Sequence, residues 1–459
     1  MKEIKKPIRI SPFLLVIISF LIVIFLASLI LVSPIARNEG TWGTYIDSLF
    51  SAVTATCVTG LVSLQNGIAG EFNFIGQLVI LICMQIGGLG FMTILAFTIT
   101  LFRNKLKFKD RLLFSQAVGS NSMSELVIFV RKIILISLTF ELIGAIVLLP
   151  VFLEVTDIQT SIWYSIFHSI SAYNNAGIDL FGTTSLILGN ANIISSLPVW
   201  AYNYLCITIM FLIVFGGISF LTVIDIFHFR KPSQWRVFTK IVLLVTCVLV
   251  FGGAIFFFIS EGFKGENSMN ILQAFFQSIT LRTAGFVTYN QANLSPAGFV
   301  VSCLLMFIGG SPLSTAGGVK TTTAFLIILA MFSYFRSRKI VAFKRYYSNN
   351  MVIKAMSLVF LGIIIIVVSF LAVAGFESAN PVINREEDII FEVFSAFGTV
   401  GVTTGITTSL GIGSKIVLML LMLVGRIGPI TFMQMFQNGI NDVKEDGHFH
   451  YVEEDFLIG

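Results

Sequence analysis

Four glycines, Gly60, Gly177, Gly285 and Gly401, recur at intervals of 117, 108 and 116 residues. Each closes a short semi-polar segment: FSAVTATCVTG, FHSISAYNNAG, FFQSITLRTAG and FEVFSAFGTVG. A phenylalanine stands ten residues before each glycine, at Phe50, Phe167, Phe275 and Phe391. Three segments also carry a small hydroxyl followed by alanine, Thr54-Ala55, Ser171-Ala172 and Ser395-Ala396; the third lacks this pair. So regular a period marks an internal structural repeat. Glycine reaches positive φ without steric cost, which suits a chain that must turn its carbonyls toward one axis. Four such strands could replace the hydration shell of a bare cation. A short helix ahead of each would aim its negative C-terminal end at the same point. The plainer reading is that these glycines let membrane helices pack closely, although packing glycines recur every four residues rather than ending a half-helix.

A second glycine signal follows each of the first and is expected in mid-helix: Gly87-Gly88, Gly216-Gly217, Gly309-Gly310 and the variant Gly425-Arg426. The third continues as Ser311-Pro312-Leu313-Ser314-Thr315-Ala316-Gly317-Gly318-Val319-Lys320. Its glycines and Pro312 forbid a regular helix. An irregular loop facing a pore is expected there, able to obstruct it; the alternative is a loop that only lets two helices approach. Arg426 falls halfway along an apolar stretch, where a charge is costly and marks a functional site by default. Its alternative is a satisfied ion pair with an inward-facing Asp or Glu.

The elements that must position these residues are apolar. Of 459 residues, 56% are hydrophobic and 12% charged, far from the balance of a soluble domain. Runs such as Ile10–Val32, Leu78–Phe102, Ile133–Val155, Ala201–Phe227, Ile241–Ser260 and Met356–Ala374 are long enough to cross a bilayer. The first follows Lys2, Lys5, Lys6 and Arg9 but is too long for a signal peptide, so it is read as a retained helix. Basic residues cluster at Lys2–Arg9, Arg103–Arg111, Arg230–Lys240 and Arg336–Lys354. Cytoplasmic loops are rich in Lys and Arg, so the N-terminus and the tail beyond Gln437 are expected inside, with eight crossings between. The segments Tyr45–Gly60, Ile162–Gly177, Ile271–Gly285 and Ile389–Gly401 are too short to cross and too apolar for free loops. They are expected to be half-crossing helices that end in backbone lining a cavity. The fold class is therefore an all-α polytopic membrane protein. Four helix–pore loop–helix repeats surround a central pore.

Other chemistries find no support. Cys57, Cys83, Cys206, Cys247 and Cys303 have neither zinc nor disulfide spacing and read as packing residues. No HExxH motif or nucleophile with its base is present, so no enzyme is expected. His168 stands in the second segment without a matching partner and is expected to face lipid or protein. The net charge of +5 is explained by the basic loops and needs no nucleic acid.

These motifs resemble the superfamily of K+ transporters that includes bacterial Trk and Ktr and plant HKT proteins. The matching stretches are Val58–Gly60, Asn174–Gly177, Arg282–Gly285, Ser395–Gly401, Gly309–Thr323 and Gly425–Pro429, and the likeness extends over essentially the whole chain. Without the extra N-terminal helix pair of Trk-type subunits, the chain looks like a Ktr-type (KtrB-type) membrane subunit. The resemblance implies a K+ filter at Val58, Thr59 and Gly60; Asn175, Ala176 and Gly177; Thr283, Ala284 and Gly285; and Thr399, Val400 and Gly401. It implies an intramembrane gate of Gly309, Gly310, Ser311, Pro312, Ser314, Thr315, Gly317, Gly318 and Lys320, with Arg426 limiting flow at the same level. It further implies K+ uptake with Na+ dependence, a homodimer with one pore per protomer, and a cytosolic ring of nucleotide-binding regulatory (KtrA-type) subunits. No cofactor is expected in this chain, only K+ as its substrate ion, in the inner membrane of a bacterium. Repeats are expected at 1–110, 111–236, 237–345 (with the loop at 309–320) and 346–437, followed by a cytoplasmic tail at 438–459. The opposite charge biases of Arg336–Lys354 and Asp442–Asp455 suit docking of a soluble partner, though topology alone also explains basic loops. Two transport alternatives stay open: a Na+-selective conductor, against which the intact Gly60 argues, and an obligately coupled Na+/K+ symporter.

Overall fold

The computed structural model describes residues 12–90 and 123–428, apart from 183–184, 188–192, 230, 266–267 and 384. The clusters Lys2–Arg9 and Arg103–Arg111, Arg230, Pro429 and the tail at 438–459 lie outside the described residues. One order of elements occurs four times. A long helix leads to a short one, a glycine-ended strand and a second long helix. The first unit holds α1 (Pro12–Val32), α2 (Tyr45–Thr56) and α3 (Phe74–Leu89). The second holds α4 (Met123–Phe152), α5 (Ile158–Tyr173), α6 (Val199–Gly217) and α7 (Phe220–His228). The third holds α8 (Val237–Glu261), α9 (Ile271–Thr280), α10 (Pro296–Phe307) and α11 (Thr321–Phe335). A two-stranded hairpin pairing Val341 with Tyr346 then leads to α12 (Asn349–Glu377), α13 (Glu386–Gly398) and α14 (Ile412–Ile427).

Local sequence starts these helices where they begin. Asp157 accepts from the amides of Gln159 and Thr160 at 3.1 and 3.2 Å and caps α5. Asn270 and Gln273 form a reciprocal capping box on α9. Ser295 caps α10 through the amide of Gly298 at 3.0 Å. Within the described residues α4, α6, α8 and α12 are long and apolar enough to cross a membrane. Their outward faces carry exposed large apolar side chains such as Phe251, Ile255, Phe360 and Leu371, a surface suited to lipid rather than water.

The short helices form the centre, and each packs in a cyclic order. Helix α5 contacts α3 of the preceding unit, α9 contacts α6, α13 contacts α10, and α2 contacts α14. The ring therefore closes from the fourth unit back to the first. The second long helix of each unit is interrupted or ends beside its glycine pair. Helix α3 ends at Leu89 before Gly90, with φ +77°; α6 breaks at Ile218 and Ser219; α10 stops before Gly309; α14 ends before Gly428, with φ +94°. The glycine pairs thus sit at helix ends, not in mid-helix. The expected irregularity of the third unit has milder counterparts in the others.

All five cysteines are unpaired; Cys57, Cys83, Cys206 and Cys303 are buried and Cys247 is exposed.

Candidate functional site

The four glycines close into one ring. Each has positive φ: Gly60 +101°, Gly177 +64°, Gly285 +86° and Gly401 +88°. Two residues earlier, each strand is again left-handed, at Val58, Asn175, Thr283 and Thr399. This alternation turns successive peptide groups the same way, and only glycine adopts the second left-handed position freely. A methyl group on Gly60 would come 2.6 Å from the Ala176 carbonyl. One on Gly177 would come 2.5 Å from Ala284 O, and one on Gly285 would come 2.8 Å from Val400 O. One on Gly401 would overlap Thr59 O. The carbonyl before each glycine therefore borders the glycine of a neighbouring strand, around the full circle. Thr59, Thr283 and Thr399 also have buried hydroxyls without a partner. The C-terminal ends of α2, α5, α9 and α13 lie immediately before these strands, where their carbonyl dipoles favour a cation.

The hydroxyls picked out in sequence brace the strands. Thr54 Oγ1 accepts from Gly60 N at 3.0 Å, and Ser395 Oγ accepts from Gly401 N at 3.1 Å. Ser171 Oγ donates to Ile178 O at 2.6 Å. In the third unit Thr280 takes this role, donating to Phe286 O at 2.6 Å. Its anchoring ring is Phe276, fully buried, whereas Phe275 is only half-buried. The third helix is thus one residue closer to its glycine than the others. The match of Phe275 to Phe50, Phe167 and Phe391 is corrected to Phe276, and the missing hydroxyl is found at Thr280.

The residue after each anchoring phenylalanine is polar: Ser51, His168, Gln277 and Glu392. Three of them hold the return strand beyond the glycine ring. His168 Nδ1 donates to Tyr164 O at 2.6 Å, and its Nε2 accepts from Leu180 N at 3.1 Å. Of the two expected surroundings, lipid or protein, His168 therefore faces protein, as a buried strut. Gln277 Nε2 donates to Gln291 Oε1 at 2.6 Å, and Gln291 Nε2 donates back to Gln277 Oε1 at 3.1 Å. Glu392 accepts from Thr403 and, at 3.0 Å, from Thr407. In the first unit serine is too short, and Asp47 accepts instead from Ser63 Oγ at 2.8 Å. This series was hidden in sequence because four different side chains fill one position and the third is shifted by one residue.

On one side of the ring is a cavity of about 390 Å³ floored by the four glycines and bordered by Gln65, Asp179, Asn290 and Thr407. On the other side lies the Gly309–Lys320 loop. Gly309 and Val319 are joined by the amide of Gly309 donating to Val319 O at 2.9 Å. Leu313 and Gly318 are left-handed, which folds the loop back on itself around Pro312. Ser311 N donates to Gly217 O at 3.1 Å, and Thr315 Oγ1 donates to Gly216 O at 2.9 Å. Ser314 Oγ donates to Ser311 O at 2.7 Å, and Lys320 Nζ to Ala316 O at 2.6 Å. A methyl on Gly317 would overlap Thr399 Oγ1, and one on Gly309 would lie 3.1 Å from Thr283 Cγ2. Gly310 packs tightly on Ala316. The loop therefore abuts the first residues of two strands and is tied to the second unit.

Arg426 completes the tie. Its guanidinium donates to the carbonyls of Thr315 and Gly87, and to that of Gly88 at 3.1 Å. It links the loop, the end of α3 and the end of α14. No carboxylate pairs with it among the described residues, so the ion-pair alternative is replaced by backbone acceptors. The other second-set glycines have a common purpose. A side chain on Gly87, Gly216 or Gly425 would overlap Thr56 O, Tyr173 O or Phe397 O, each four residues before a ring glycine. Their absence of a side chain lets a long helix touch the end of a short one.

Comparison with known proteins finds relatives over essentially the whole chain. The family profile TrkH, described as cation transport protein, matches residues 3–439. The potassium/sodium uptake protein NtpJ of Enterococcus hirae is 34% identical, with 100% of this chain and 99% of that protein covered. The Ktr system potassium uptake protein B of Bacillus subtilis is 32% identical over 99% of this chain and 98% of that protein. The crystal structure of the potassium transporter TrkH from Vibrio parahaemolyticus superposes with a TM-score of 0.69 at 16% identity, covering 94% of this chain and 86% of that one. This last likeness concerns the fold.

Proposed function

The chain belongs to the TrkH family of cation transport proteins, and from that membership we propose that it is the ion-conducting membrane subunit of a bacterial K+ uptake system. It is a multi-pass membrane transporter of the KtrB type, not an enzyme. The observation that carries the proposal is the closed ring of Gly60, Gly177, Gly285 and Gly401 with a left-handed residue two places before each. Backbone carbonyls arranged around an axis substitute for the water lost by a dehydrated K+. In this reading Val58–Gly60, Asn175–Gly177, Thr283–Gly285 and Thr399–Gly401 are the filter, and the cavity beside the glycines is its outer mouth. The Gly309–Lys320 loop is the gate, held shut by Arg426, whose charge also opposes a cation in the same constriction. The termini face the cytoplasm because the basic loops do. The chain works as a homodimer with a cytosolic nucleotide-binding ring, docked on the basic Arg336–Lys354 side.

The name of the Enterococcus hirae relative, a potassium/sodium uptake protein, favours a second reading in which Na+ is co-transported or required. Flux of K+, Rb+ and Na+ into vesicles holding the purified chain separates the readings. K+ and Rb+ flux that reverses with voltage alone supports a gated conductor. Flux that demands Na+ on the same side supports coupling, and absence of any monovalent cation flux sinks both.

A further inference from the structure

Glu141 lies within α4, is the only charged residue from Ile133 to Phe152, and is 5% exposed. A buried carboxylate at that depth is tolerated only when its lone pairs are satisfied. Three side chains from three elements satisfy it. Gln85 Nε2 of α3 donates to its two oxygens at 3.0 and 3.1 Å. Ser137 Oγ donates to Oε1 at 2.9 Å, and Asn174 Nδ2 donates to Oε1 at 3.0 Å. Asn174 directly follows α5 and directly precedes Asn175, the left-handed first residue of the second filter strand. The same Nδ2 also reaches Gln85 Oε1 at 3.0 Å and Ile170 O at 2.9 Å. The niche is made for this side chain: a methyl on Gly88 would overlap Asn174 Oδ1. Gly88 is also where Arg426 fastens, its carbonyl accepting at 3.1 Å.

We propose that Glu141 is a positioning residue that fixes Asn174, and through it the second filter strand, and so sets the preference among monovalent cations. The argument is one of donors and acceptors. Gln85 presents N–H to both oxygens of Glu141, and Asn174 and Ser137 present donors to one of them, so a side chain with an acceptor at each of its two ends answers all three. Filter carbonyls discriminate between ions of different size only if the strand is held in place. The other three strands are held from the short helices themselves. Only the second has a carboxylate from a long helix behind it among the described residues. The inference rests on the filter reading above.

The test is the ratio of K+ to Na+ flux in vesicles for Glu141→Gln and for the exchange variant Gln85→Glu/Glu141→Gln. In Glu141→Gln an N–H faces the N–H of Gln85, and Gln85 cannot turn its amide without losing Asn174. The ratio is expected to fall about tenfold, equivalent to about 1.4 kcal/mol. In the exchange variant the carboxylate at position 85 accepts from Asn174 and from the new amide at position 141, whose oxygen still accepts from Asn174 and Ser137, and most of the ratio is expected to be recovered. A merely structural Glu141 would alter yield and melting temperature while leaving the ratio of the surviving protein unchanged, and that result overturns the proposal. Failure of the exchange variant to recover the ratio overturns it too. If Glu141→Gln does not fold, the shorter Glu141→Asp is read in its place against the same two outcomes. Gly60→Ser run in parallel separates the levels: no change there indicts the filter reading, whereas a shift there with none at Glu141 indicts this inference alone.

Discussion

Lys415 Nζ lies 2.8 Å from Asp47 Oδ1, joining the last long helix to the first short one, 368 residues earlier in the chain. Both side chains are mostly buried, at 9% and 21% exposure. The bond closes the circle of four units at the seam where no peptide connects them. Lys415→Met leaves the Asp47 carboxylate in place without its cation. Stranding a buried charge costs about 3 kcal/mol, so the melting temperature in detergent should fall clearly. Adding Asp47→Asn should recover part of the loss, and a double variant less stable than Lys415→Met would contradict this account.

Gly60→Ser is expected to shift transport toward Na+. At φ +101° a side chain is strained, and its Cβ would press within 2.6 Å of Ala176 O. The ring of carbonyls must then widen or tilt, and discrimination by carbonyl placement weakens. A mutant that keeps the wild-type K+/Na+ flux ratio would remove Gly60 from the filter.

Shortening the Gly309–Lys320 loop should raise flux, and so should Arg426→Ala. The loop is held by Arg426 at Thr315 O and by Gly216 and Gly217 of the second unit. Because both changes act on one barrier, their combination should give less than the sum of the two free-energy effects. Normal or reduced K+ uptake by a well-expressed deletion variant would rule out a gate.

The shifted register of the third unit makes a stability prediction. Phe276→Ala removes a fully buried ring and should cost about 3–5 kcal/mol. Phe275→Ala, at a half-buried position, should cost markedly less. Equal losses in thermal denaturation would restore Phe275 as the anchor.

What the sequence made legible were features written in backbone chemistry. Glycines that need positive φ, a proline-bearing run that cannot be helical, and long apolar stretches each have one physical cause and appear as residue types. The Phe275 assignment failed because two adjacent phenylalanines satisfy the same pattern, and only the helix decides which one points inward. His168 gave no sign of its role because its partners are the carbonyl of Tyr164 and the amide of Leu180. Backbone groups leave no trace in residue identity. The partners of Arg426 are hidden for the same reason: they are the carbonyls of Thr315, Gly87 and Gly88, not the carboxylate of the ion-pair alternative. Glu141 was detectable as a lone acid in an apolar run, yet its purpose depends on Gln85 and Asn174, far apart in the chain.

The fastening of Arg426 has a genetic consequence. A guanidinium stays protonated throughout the physiological range, and a peptide carbonyl does not titrate. The contact of Arg426 with these carbonyls therefore has no titrating acceptor, unlike one built on histidine or a carboxylate. It is also one-ended with respect to mutation, since no codon change deletes the oxygen of Gly87, Gly88 or Thr315. Selection for leaky variants should return replacements of Arg426 itself, or side chains introduced at the glycines that displace those oxygens, and no lost acceptor residue.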